Sequence, residues 1–112
     1  MKKIEAVIRE EKLSAVKNAL SEVGYRGITA SEVSGSGRQG GLELQWRVGE
    51  YRIDLLPKIK IEVVVFEEEV ATVVSAIVRN ARTGEMGDGK IFIIPVDNAI
   101  RVRTGEEGVD AL

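Results

Sequence analysis

Three stretches of this 112-residue chain carry residue types that could hold an anion. Gly84-Glu85-Met86-Gly87-Asp88-Gly89-Lys90 fits G-x-x-x-x-G-K, but Ile91 stands where a Walker A loop needs Ser or Thr for magnesium, and an apolar run follows instead of a helix. A P-loop of the NTPase kind is thereby excluded, while successive glycine amides followed by a lysine still suit an anion-binding nest. In Arg101-Val102-Arg103-Thr104-Gly105, alternate spacing on an extended chain would project both guanidiniums to one side, as two forks suited to phosphate. At roughly 1.5–3 kcal/mol per charge-assisted hydrogen bond, a lysine, two arginines and several amides reach the roughly 8 kcal/mol of micromolar binding after association costs. Gly35-Ser36-Gly37-Arg38-Gln39-Gly40 has the letters of a dinucleotide fingerprint, but Gly41 to Tyr51 shows no helical stripe, so the Rossmann reading fails. A connection this long in so small a domain is more often functional than accidental.

Other chemistries are excluded by composition. There is no Cys and no His, which removes thiol nucleophiles, imidazole bases, disulfides and zinc ribbons. Sixteen Lys and Arg against eighteen Asp and Glu leave a net charge of -2, so there is no global field for a polyanion and any basic site is local. An RNA-binding reading needs sheet aromatics, and the third strand offers Lys58, Lys60 and Glu62 instead. A small phosphatase or phosphotransferase could use Asp88, Lys90 and the paired arginines. The most elaborate segment is nevertheless a surface loop, not an enclosed acid–base pair, and this favours regulation. The longest apolar runs, Val63 to Phe66 and Ile91 to Val96, fall far below the roughly 18 residues of a membrane span. With no signal-like block near Met1, a cytoplasmic protein is expected.

The elements that must position these groups come from an internal repeat. Residues 3–20 align with 60–77 at an offset of 57, with Lys3/Lys60, Ile4/Ile61, Glu5/Glu62, Val7/Val64, Glu10/Glu67, Glu11/Glu68, Val16/Val73 and Ala19/Ala76 identical. Each copy opens with two-residue alternation, Ile4, Ala6 and Ile8 in the first and Ile59, Ile61, Val63 and Val65 in the second, and then changes to helical spacing. Leu13, Val16, Leu20 and Val23 predict a helix ended by Gly24; Val70, Val73, Val74, Ile77, Val78 and Ala81 predict a second, with Glu67 to Glu69 at its N-terminal end and Arg79 and Arg82 at its C-terminal end. Ile28 to Gly35 and Ile91 to Val96 supply the remaining strands. The order βαββαβ predicts a single α+β domain, a ferredoxin-like sandwich of duplicated βαβ units with a four-stranded antiparallel sheet and both helices on one face. Six consecutive apolar residues in the last strand imply burial on both sides and hence contact between copies of the chain.

On Met1-Lys2-Lys3-Ile4-Glu5-Ala6, Gly37-Arg38-Gln39, Glu50-Tyr51, Leu56-Pro57-Lys58-Ile59-Lys60-Ile61-Glu62, Ala81-Arg82-Thr83-Gly84, Gly87-Asp88-Gly89-Lys90-Ile91-Phe92 and Arg101-Val102-Arg103-Thr104-Gly105, the chain resembles the PII nitrogen-regulatory signal-transduction proteins over its whole length. The resemblance implies a homotrimer with ATP or ADP in the clefts between subunits, a T-loop at about 37–55, a B-loop at about 82–90 and a C-loop at about 102–109. It implies that Gly35, Gly37, Arg38, Gly87, Asp88, Gly89, Lys90, Arg101 and Arg103 meet the nucleotide, mainly at its phosphates, while Val7, Thr29, Glu62 and Val64 surround adenine and ribose. Gln39 would help bind Mg2+ on ATP, and Lys58 would pair with a carboxylate of 2-oxoglutarate, whose other contacts would come from amides around Gly37, Gly40 and Gly41, with Gln39. The implied function is nitrogen regulation with no catalytic residue. The T-loop would dock on the cytoplasmic face of an ammonium transporter, with Arg47 matching a pore-plugging arginine, or on a nitrogen-metabolism enzyme or regulator. Tyr51 matches a tyrosine that is uridylylated in some bacterial members. No nucleic-acid partner is implied, and membrane association would arise only through a transporter.

Overall fold

The structure, a computed structural model, describes residues 1–35 and 56–112. The alternating run forms strand β1, Lys2–Arg9, with Ile4, Ala6 and Ile8 buried and their neighbours half-buried on the other face. After a short 3-10 turn comes α1, Leu13–Glu22, and then β2, Thr29–Gly35. The second half follows the same order, with β3 at Leu56–Val65, α2 at Val70–Ala81 and β4 at Lys90–Pro95. The four strands form one antiparallel sheet in the order β2-β3-β1-β4, so the two first strands of the repeat lie side by side at the centre. This is the ferredoxin-like sandwich expected from the element order, with β2 and β4 as the sheet edges.

The repeat extends to backbone angles. Arg9 (φ -66, ψ 142) and Phe66 (φ -68, ψ 147), 57 residues apart in sequence, each enter a 3-10 turn, Glu10–Lys12 and Glu67–Glu69, and each turn hands over to a helix. The acidic residues expected at a helix start therefore occupy a tighter turn before it, where their charges still face the helix's positive end. At the far end of α1, the Tyr25 N–H donates to the Leu20 carbonyl at 2.8 Å and the Gly24 N–H to Ser21 at 3.0 Å. This is a Schellman closure, and it requires the left-handed conformation that Gly24 adopts at φ +97.

The core lies between the helices and one sheet face: Ile4, Ala6, Ile8, Ile59, Ile61, Val63 and Val65 from the strands meet Val16, Leu20, Val73, Ile77 and Ala81 from the helices. The other face is open. By register it carries Lys3, Glu5, Val7 and Arg9 on β1 opposite Val64, Glu62, Lys60 and Lys58 on β3, with Lys90, Phe92 and Ile94 alongside on β4. The apolar run of β4 is not enclosed by the described residues, since Phe92 is 49% exposed, Ile93 50% and Ile94 36%. The double-sided burial expected of it is thus not met among the described residues.

Candidate functional site

The segment from Arg82 to Lys90 is folded around the carboxylate of Asp88. Its Oδ2 accepts from the N–H groups of Thr83 and Gly84, both at 2.9 Å; its Oδ1 accepts from the Thr83 hydroxyl and, at 2.9 Å, from Arg9 Nε. The Thr83 hydroxyl is the largest cause, followed by the Thr83 amide, Arg9 and the Gly84 amide, of a pKa held well below the usual carboxylate range. Arg9 also donates to the Met86 carbonyl at 2.8 Å, and Lys58 Nζ donates to the Gly87 carbonyl. Two cations from the central strands therefore hold the loop's one inward carboxylate and two of its carbonyls. A group this firmly ionised and this fully engaged makes a poor general acid, which counts against the phosphotransfer reading of Asp88.

Gly89 closes the loop onto the sheet. Its φ is +105, and a Cβ built on it would lie 1.7 Å from the Val7 carbonyl oxygen, so only glycine lets the chain pass here. The next residue, Lys90, opens β4 directly opposite Val7, is exposed, and makes no ion pair among the described residues. With Asp88 neutralised from within, the loop offers an outside anion backbone amides and an ammonium. An adjacent cleft of about 340 Å3 is lined by Ile8, Ile77, Val78, Ile91, Gly89 and Lys90, among others.

A separate cleft of about 680 Å3 holds Thr29, Glu62 and Val64, bordered by Tyr25, Phe66 and Leu112. Here Lys3 is the hub of the open sheet face, 3.0 Å from Glu62 and 3.5 Å from Glu5, while Lys60 lies 3.8 Å from Glu62. The hydrogen bond between Lys3 and Glu62 is the main cause of a raised pKa on the lysine and a lowered one on the glutamate. No residue of the Arg82 to Lys90 segment borders this cleft. Gly89 and Lys90 thus border one cleft and Thr29, Glu62 and Val64 another, while Val7, also expected around a base, lies on β1 against Gly89 and opposite Lys90.

The two arginines of the third segment are not arranged as an extended strand. Val102 to Thr104 form a turn, closed by a 2.7 Å bond from the Gly105 N–H to the Arg101 carbonyl and permitted by φ +75 at Gly105. Arg101 folds back onto Glu106 at 2.9 Å and the Leu112 carbonyl at 3.2 Å, while Arg103 is exposed on the turn. The alternation argument for these residues fails because a glycine two positions on reverses the chain. Asn98, which sequence reasoning did not single out, secures the same region by accepting from Gly108 at 3.1 Å and donating to Glu107 at 2.9 Å. Arg9 was missed as well, since a partnership spanning 79 residues leaves no local spacing, and so was Thr83, which bonds Asp88 from five residues away where no motif marks the pair. Gly37, Arg38, Gln39, Gly40, Gly41, Arg47 and Tyr51 lie outside the described residues. Among the described residues no group of three acidic side chains could hold a metal ion.

A duplicated βαβ sandwich with a glycine loop ending in an exposed lysine defines a small α+β domain of the ferredoxin-like class. The sequence profile described as Nitrogen regulatory protein P-II matches residues 1–106, and the chain belongs to that family. It is 57% identical over 112 residues to Nitrogen regulatory protein P-II 2 of Methanothermobacter thermautotrophicus, covering all of this chain and 97% of that protein. It is 53% identical to Nitrogen regulatory protein P-II of Bradyrhizobium diazoefficiens across the full length of both. Among solved structures it is similar to Arabidopsis thaliana PII bound to citrate, with a TM-score of 0.81 at 40% identity, covering 98% of this chain and 87% of that one. The family is one of regulatory proteins, and the chain is read as a regulator of nitrogen metabolism on that basis.

Proposed function

We propose that this chain is a homotrimeric cytoplasmic sensor in which ATP or ADP lies between neighbouring copies. Gly87, Gly89, Lys90, Arg101 and Arg103, with Gly35, Gly37 and Arg38, meet the phosphates, and Val7, Thr29, Glu62 and Val64 surround adenine and ribose, the cleft drawing on two neighbouring copies. The observation that carries this reading is that Gly89 and Lys90 border one cleft and Thr29, Glu62 and Val64 a separate one on the same chain, which a second copy would join. Mg2+ would enter with the triphosphate, held by its oxygens and Gln39, and 2-oxoglutarate would bind through Lys58 and the amides near Gly37, Gly40 and Gly41. Segment 37–55 would be the output, held differently with ATP, Mg2+ and the keto-acid than with ADP, because only a difference in affinity between two states can move their equilibrium. Its targets would be an ammonium transporter's cytoplasmic face, through Arg47, or a nitrogen-metabolism enzyme; Tyr51 would be a site of modification.

Calorimetric titration tests the cleft. ATP is expected to bind with micromolar affinity and to weaken at least tenfold in Lys90→Ala and in Arg103→Ala, each removing one charge-assisted contact worth about 1.5–3 kcal/mol. Unchanged affinity in both variants would overturn the assignment.

A further inference from the structure

We infer that Asp88 is a positioning residue rather than a nucleotide contact: it ties Thr83, Gly84 and Arg9 into a clamp that turns the amides of Gly87 and Gly89 and the ammonium of Lys90 outward toward phosphate. Both of its oxygens are engaged within the chain, by the Thr83 amide and hydroxyl and the Gly84 amide from the exposed loop and by half-buried Arg9 from β1. An unscreened carboxylate between two glycines would repel the anion that those glycines are meant to receive. Arg9 cancels that charge and, by also holding the Met86 carbonyl at 2.8 Å, stops the loop from lifting off β1. The Thr83 hydroxyl adds a second tie within the loop by accepting from the Glu85 N–H at 3.1 Å. The low pKa of Asp88 agrees with a carboxylate kept permanently ionised for this purpose.

This assignment rests on the nucleotide reading above, and the experiment keeps the two apart. ATP and adenosine affinities are measured for the parent chain, Asp88→Ala, Asp88→Asn, Arg9→Met and Arg9→Lys, together with hydrogen exchange at Thr83 and Gly84. Asp88→Ala and Arg9→Met are expected to lose tenfold or more in ATP affinity with adenosine affinity unchanged, and Thr83 and Gly84 are expected to exchange faster in Asp88→Ala. Arg9→Lys is expected to recover most of the ATP affinity lost in Arg9→Met. The variant lacking both Asp88 and Arg9 side chains is expected to be no worse than the poorer single variant, because the two act as a unit. Equal loss for ATP and adenosine, or parent-like ATP binding in both Asp88 variants, overturns the clamp. If Asp88→Ala does not fold, Asp88→Asn decides by the same readings. A parent chain that ignores ATP overturns the nucleotide reading; exchange then judges the clamp alone, acceleration supporting it and parent-like exchange refuting it.

Discussion

At the scale of single residues, two glycines with similar backbone angles carry different burdens. Gly24 at φ +97 faces open space, whereas at Gly89, φ +105, an added Cβ would meet the Val7 carbonyl at 1.7 Å. Gly24→Ala should therefore cost only the left-handed strain, about 1–2 kcal/mol. Gly89→Ala adds a backbone collision that no side-chain rotation relieves, and it should cost about 3 kcal/mol or more, or else push the loop off β1. Denaturant unfolding of the two variants checks this, and equal losses would mean that the loop does not press on Val7. That Gly84 to Lys90 is a glycine-rich connection running into a strand was legible in the sequence. That Gly89 is needed for its approach to a strand some 80 residues earlier was not, because spacing rules see only neighbours.

At the scale of elements, the buried alternation, the helical stripes and the offset of 57 were readable because each follows from the period of its own element. Strands expected at Ile28 to Gly35 and Ile91 to Val96 form at Thr29–Gly35 and Lys90–Pro95. What escaped is of two kinds: local turns that carry no period, namely the 3-10 turns before both helices and the fold-back of Arg101, and one contact between elements, the tie between the end of α1 and the end of β3. That tie is Tyr25, whose hydroxyl accepts from the Phe66 N–H at 3.4 Å. Burial of the phenol, with the Glu69 carboxylate adding to it, pushes its pKa up to about 12 from 10.0. A raised phenol favours the neutral form in the fold, so its contribution is complete below pH 10 and declines as pH climbs toward 12. Absorbance titration is expected to show one tyrosine ionising near pH 12 in the parent and none there in Tyr25→Phe. Ionisation of Tyr25 near pH 10 would contradict the packing described.

For the whole molecule, the open sheet face sets a problem that a lone chain does not solve. Charges on its central strands are matched, with Lys3 between Glu5 and Glu62, but β4 adds half-exposed Phe92 and Ile94 beside them. Edge strands with exposed apolar side chains favour association, and a closed ring of copies removes the edge without leading to open-ended assembly. In the proposed trimer that covering would also bring the phosphate surface of one copy to the Thr29 and Glu62 surface of the next, so assembly and ligand binding should fail together. The substitution that separates interface from fold follows from register. Phe92 stands opposite Glu5, so Phe92→Lys places a cation beside a carboxylate within the free chain while burying a charge in any interface. Light scattering is expected to give three times the 12.2 kDa chain mass for the parent and a single chain mass for Phe92→Lys, with its circular dichroism retained and its ATP affinity lost. A parent that runs as a monomer would refute the shared cleft, and a monomeric Phe92→Lys that still binds ATP tightly would show that one chain holds the nucleotide alone.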